Sequence, residues 1–184
     1  MTRMTRPIDP NQPAKIGVLF VCLGNICRSP LAEGIFIHLA RERGLLDRFD
    51  IDSCGTGAWH VGHDADSRSI RVAAKYGIKL VHEARQLEPH TDFVRFHLLL
   101  PMDRSNMRGV LAAGSRYSVN PSRVRLMRSF DPTHVATADI PEVPDPYEGN
   151  DDGFERVFHM LHRACGGLLD RLAEPEGLDA IINR

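Results

Sequence analysis

The stretch Ile16–Pro30 reads IGVLFVCLGNICRSP, and its reading decides how the rest of the chain folds. Ile16, Val18, Leu19, Phe20 and Val21 form a nearly unbroken, largely branched apolar run, the pattern of a parallel strand buried on both faces. Cys22 ends the run, Gly24 and Asn25 sit in a short polar loop, and Ser29-Pro30 predicts a helix with Ser29 as N-cap and Pro30 in its first turn. A strand, tight loop and helix start in that order aim backbone N–H groups at one point, backed by the positive end of the helix dipole, and so form an anion site. The same field can lower a cysteine pKa from ~8.5 to between roughly 3.5 and 7.5. Cys22 is therefore expected to be a nucleophile, with the planar, five-donor guanidinium of Arg28 facing the same bound anion. Without this context a lone cysteine reads as a small core residue.

Working outward, Leu31, Ala32, Ile35, Phe36, Leu39 and Ala40 share one helical face, and Gly44 supplies a stop. Residues 49–53 predict a second strand, followed by the glycine-rich loop CGTGAWHVGHDADS with the only tryptophan, Trp59. A helix is expected over 67–76, a third strand over 97–100, a helix from about Asp103 and a short fourth strand over 124–127. A proline-rich loop through ADIPEVPDPYEGND then leads to a last helix, with Phe154, Val157, Phe158, Leu161, Ala164, Leu168 and Leu172 at core spacing. Strands alternating with helices predict an α/β fold: a single-domain, doubly wound, four-stranded parallel sheet of order 2-1-3-4 with helices on both faces. Ligands bind such sheets beyond the strand C-termini where the winding reverses, which is where Cys22 falls.

The 184 residues fit one domain, with a flexible N-terminal tail at 1–14, a folded unit over 15–174 and a C-terminal tail at 175–184. A formal net charge of -1 gives no argument for a nucleic-acid or membrane partner. No segment approaches the ~20 apolar residues of a membrane span, and the N-terminus lacks the apolar stretch of a secretion signal. Four cysteines without paired Cys-x2-Cys spacing suggest reduced thiols and no zinc site. The expected location is cytoplasmic, with neither metal nor cofactor.

The pattern Cys-x-Gly-Asn-x-Cys-Arg-Ser, met by Cys22, Gly24, Asn25, Cys27, Arg28 and Ser29, resembles the phosphate loop of the low-molecular-weight protein tyrosine phosphatases. The resemblance runs from about Lys15 to Leu172. It implies hydrolysis of protein phosphotyrosine and aryl phosphates through a cysteinyl-phosphate intermediate, with phosphotyrosine proteins as partners and a cognate tyrosine kinase among the candidates. By the same resemblance Cys22, Arg28 and Asp145 are the catalytic set. Asp145, in VPDPYEG, would protonate the leaving phenol and then act as base for water; in isolation Asp-Pro-Tyr reads as a turn. Substrate would be held by the loop residues Leu23, Gly24, Asn25, Ile26, Cys27 and Ser29 and walled by Trp59 and Tyr147. Ser53 and His82 would support Asn25. Asp103 also matches a family segment, and a helix N-cap explains it. Glu148 departs from the family by replacing a second tyrosine.

Three other functions compete. Thioredoxin-linked arsenate reductases of this fold need a further cysteine pair after the second helix, and residues 77–101 contain none. Protein-arginine phosphatases of the same family tend to have threonine where this chain has Ile26. A non-catalytic phosphate-binding module would not need Cys22, Arg28 and Asp145 together.

Overall fold

The computed structural model describes residues 15–134 and 139–183; the tail expected at 1–14 lies outside the described residues. Three strands among these residues, β1 (Ile16–Cys22), β2 (Phe49–Gly55) and β3 (Leu98–Pro101), form an all-parallel sheet of order β2-β1-β3. Among the described residues six α-helices accompany them: α1 (Arg28–Glu42), α2 (Ser67–Lys75), α3 (Pro89–Arg95), α4 (Arg104–Ser115), α5 (Asp151–Ala173) and α6 (Gly177–Ile182). Central β1 pairs Ile16 with Phe49 through Cys22 with Gly55 on one side, and Val18 with Leu98 through Val21 with Pro101 on the other.

Alternate residues of β1 enter two separate apolar clusters, as the two-residue period of a strand requires. Val18, Phe20 and Cys22 pack with residues of α1 and α5, while Leu19 and Val21 pack with Phe93, Phe96, Leu99 and Val110. Helices thus cover both faces, and the apolar continuity of residues 18–21 reflects that double burial. All six anticipated α1 positions and all seven in α5 are buried. Gly44 and Gly77 take φ of +66° and +76° just beyond α1 and α2, a conformation open to glycine, and each passes the chain back through bonds such as Leu45 N–H to Ala40 C=O.

The anticipated fourth strand is absent as such. Val124 makes one isolated parallel bridge to Leu99, with Arg125 N–H donating to the Leu99 carbonyl. A 3-10 turn at Pro121–Arg123, capped by Asn120, precedes this bridge, and another at Met127–Phe130 follows it. Too little extended chain lies between the two turns to build a ladder. Helix α1 begins at Arg28, earlier than expected, so Ser29 lies inside its first turn and is not the cap; Cys27 occupies the cap position without a side-chain bond. The C-terminal segment read as a tail carries α6, whose Ile181 is buried against the core. Helix α3, which the periodicity of seven residues could not reveal, is started by Pro89. No helix among the described residues is long and apolar enough to cross a membrane.

Candidate active site

The parallel sheet brings the C-terminal ends of β1, β2 and β3 to one edge, and the β1–α1 loop occupies it. Cys22 is 3% exposed; its Sγ lies 3.0 Å from Ser29 Oγ and accepts from the Asn25 N–H at 3.3 Å. The early start of α1 explains Ser29: inside the first turn, its hydroxyl points back to the sulfur instead of closing the helix end.

Asn25 holds the loop in shape. Its φ of +56° is a left-handed conformation that asparagine tolerates better than most residues, and every polar group on it is used. Nδ2 donates to Ser29 Oγ and Ser53 Oγ, both at 2.9 Å, and Oδ1 accepts from the Arg85 N–H at 2.8 Å. Its carbonyl lies 2.7 Å from His82 Nε2. A carbonyl only accepts, so that nitrogen carries the proton, and burial pushes the His82 pKa below its ordinary value, leaving a neutral ring. Ser53 Oγ in turn donates to Glu33 Oε2 at 2.6 Å. The predicted supports Ser53 and His82 therefore do meet at Asn25. Glu33 and Arg85 were missed; Glu33 sits four residues after Ser29, on the same helical face, and that spacing was the available signal.

Arg28 is 2% exposed and spans the site. Nη1 donates to Asp103 Oδ2 at 2.7 Å and to the Val143 carbonyl at 3.1 Å, Nη2 donates to Asp145 Oδ2 at 2.7 Å, and Nε is buried without a partner. Asp103 does cap α4, through Oδ1 and the Asn106 N–H, but its other oxygen anchors Arg28, a second task that reading it as a cap alone overlooked. Asp145 is 44% exposed, and its Oδ1 accepts from the Tyr147 N–H at 3.2 Å.

A cavity of about 260 Å³ joins these parts, lined by Cys22, Leu23, Gly24, Ile26, Cys27, Arg28, Trp59, His60, Asp145 and Tyr147. Trp59 is 71% exposed and Tyr147 45%, and the Trp59 ring lies across Gly57, where a Cβ would fall 1.7 Å from it. His60 was not anticipated; it packs over Gly24 and lies 6.2 Å from the Tyr147 ring. Cys27 is buried, and burial, with Asp66 nearby, pushes its thiol pKa up, which suits a neutral side chain in the cavity wall.

The family model described as "Low molecular weight phosphotyrosine protein phosphatase" matches residues 17–177. A low-molecular-weight protein-tyrosine-phosphatase of Streptomyces coelicolor is 43% identical over 159 residues, covering 85% of this chain and 93% of that one. A low-molecular-weight phosphotyrosine protein phosphatase of Schizosaccharomyces pombe is 46% identical over 147 residues, covering 79% and 90%. Among solved structures, a protein tyrosine phosphatase from Entamoeba histolytica with Hepes in the active site superposes with a TM-score of 0.79 at 35% identity, covering 88% of this chain and 99% of that one.

Proposed function

The chain belongs to the low-molecular-weight phosphotyrosine protein phosphatase family, and from that membership we propose how its own residues divide the chemistry. The protein is a protein-tyrosine phosphatase, a phosphoric monoester hydrolase acting on phosphotyrosine-containing proteins. The observation that carries the assignment of roles is that Cys22 and Asp145 line one cavity with the Arg28 guanidinium beside them, 2.7 Å from the Asp145 carboxylate.

In the first step Cys22 thiolate attacks phosphorus in line and the phenol departs. A tyrosine phenol has a pKa of ~10, so Asp145 delivers a proton to the leaving oxygen. Asp145 then takes a proton from the water that hydrolyses the cysteinyl-phosphate. Arg28 offers the phosphoryl oxygens its unpartnered Nε, and Nη2 once it leaves Asp145; loop amides between 23 and 28 complete the cradle. Ser29 donates to the sulfur when Cys22 is attacking or leaving group, and Asn25, Ser53 and His82 keep the loop shaped for it.

Trp59 and Tyr147 wall the cleft for a phenyl ring, contacts worth roughly 0.5–1.5 kcal/mol beyond burial. Burial of Cys22 keeps a phosphate on a short side chain out of reach, and apolar Ile26 disfavours the charged guanidinium of phosphoarginine. All four thiols are free, which suits a reducing cytoplasm, where a tyrosine kinase making the substrates is the implied partner. A panel of phosphotyrosine, phosphoserine and phosphoarginine peptides tests this reading. kcat/KM should rank phosphotyrosine first; phosphoarginine turnover equal to it or above would overturn the substrate assignment.

A further inference from the structure

Helix α2 has no side chain in the cavity, yet its first turn is bonded to both halves of the site. Asp66, its N-cap, donates its N–H to the Ile26 carbonyl at 2.7 Å, and Ser69 Oγ donates to the Cys27 carbonyl at 3.3 Å. Both carbonyls belong to the Cys22–Arg28 loop. From the same turn Arg68 reaches the other way: Nη1 donates to the Gly149 carbonyl at 3.0 Å, and its guanidinium lies 5.7 Å from the Tyr147 ring centroid and 4.4 Å from that of Phe154 at the start of α5. The side chain is fixed at its root by Asp66, whose carboxylate accepts from Nε at 3.0 Å and Nη2 at 2.8 Å. One turn further on, Arg71 pairs with Asp151, and Lys75 with Glu155, so α2 grips the start of α5 along its length.

We infer that Arg68 is a positioning residue for proton transfer: the strut Ile26–Asp66–Arg68–Gly149 sets where the loop 145–149 stands over the loop that holds the nucleophile. Two short, rigid links do this. The fork of Arg68 is held flat by two bonds to one carboxylate, so a bond at its tip fixes the Gly149 carbonyl relative to the Ile26 carbonyl. Asp145 is 44% exposed, and only Pro146, Tyr147 and Glu148 separate it from Gly149, so a displacement of Gly149 is carried along a short segment to it. Proton transfer demands placement within hydrogen-bond reach, whereas the position of the Cys22 sulfur does not depend on this loop, so a good leaving group that needs no proton feels the displacement least.

The inference rests on Asp145 as general acid, and the test separates the two claims. Rates are measured for a series of aryl phosphates whose phenols span acidic to tyrosine-like pKa values. Arg68→Ala should lose about tenfold in kcat/KM with the poorest leaving group and under about twofold with the best, a part of the 10²–10⁴ a general acid supplies. Asp66→Asn keeps a cap on α2 but weakens the grip on Arg68, and should show the same steepening at smaller size. In an Asp145→Ala background Arg68→Ala should add nothing to the slope. Equal loss across the series in both Arg68→Ala and Asp66→Asn, or full additivity with Asp145→Ala, would overturn the inference while a steep Asp145→Ala profile leaves the general acid standing. A flat Asp145→Ala profile would overturn both.

Discussion

The two loops that meet over the cavity are built differently. In the loop from Cys22 to Ser29 the chemically important side chains are buried, and Asn25 alone ties together Ser29, Ser53, His82 and Arg85. In the loop from Pro144 to Asn150, only Pro146 is buried, and Asp145, Tyr147, Glu148 and Gly149 are exposed. The first loop is a continuation of the core; the second lies on the surface and takes its position from neighbours such as Arg28 and Arg68. Binding a dianion and stabilising charge that develops on it favour donors fixed in advance. Delivering a proton and admitting substrate favour a carboxylate that is accessible and can part from Arg28.

The largest effects should come from the buried loop. Cys22→Ser should reduce aryl phosphate hydrolysis on the order of 10⁴-fold or more, since the hydroxyl that replaces the thiol stays protonated and is both a weaker nucleophile and a poorer leaving group. Arg28→Lys should lose about 10²–10³ in kcat, because a point charge cannot replace the planar fork. It should also lower the melting temperature, leaving Asp103 and the Val143 carbonyl without their buried donor. If Arg28→Lys kept its melting temperature while losing activity, the view of this loop as an extension of the core would fail.

The exposed loop should respond in the opposite way. Asp145→Ala should leave melting unchanged within a few degrees, because the side chain is 44% exposed, and should slow attack on poor leaving groups by about 10²–10⁴. Stopped-flow measurement of phenol release across leaving groups reads this; a large loss of stability would erase the contrast between the loops.

The smallest effect is one of pH. Burial holds the His82 pKa below 6.5, so the unfolded chain binds a proton that the folded chain refuses. Stability supplied by the neutral ring is present above about pH 6.5 and is lost as pH falls toward the lowered folded value. His82→Gln should therefore flatten the acid side of the stability curve, with His97 and His162, also held low by burial, retaining part of the slope. Denaturant midpoints from pH 5 to 8 measure it; an unchanged slope would place the acid sensitivity elsewhere.

Much of this was legible in the sequence because it depends on local order. The continuous apolar run of β1, the polar loop and the following helix are a single connected signal, and the registers of α1 and α5 follow from long apolar periodicities. Val124–Met127 misled because strand propensity says nothing of the 3-10 turns on either side, which leave one bridge to Leu99. Ser29 was expected to cap a helix that starts before it, and boundaries shifted by one or two residues change a side chain's task completely. Glu33 meets Ser53, Arg85 meets Asn25 and the second oxygen of Asp103 meets Arg28 across twenty residues or more; the four-residue spacing of Glu33 from Ser29 puts it on the right face of α1 but names none of these partners.

Cys22, held in the buried loop, carries the phosphoryl group between the two steps. Mixing Asp145→Ala with an aryl phosphate of good leaving group, quenching in acid within milliseconds and mapping the labelled peptide by mass spectrometry tests it directly. One phosphate is expected on the peptide containing Cys22, formed within the first turnover, and Cys22→Ser should form no phosphopeptide on that timescale. Phosphate found on Cys27 or another residue, or phenol release in a stoichiometric burst with no phosphate on any peptide, would contradict it.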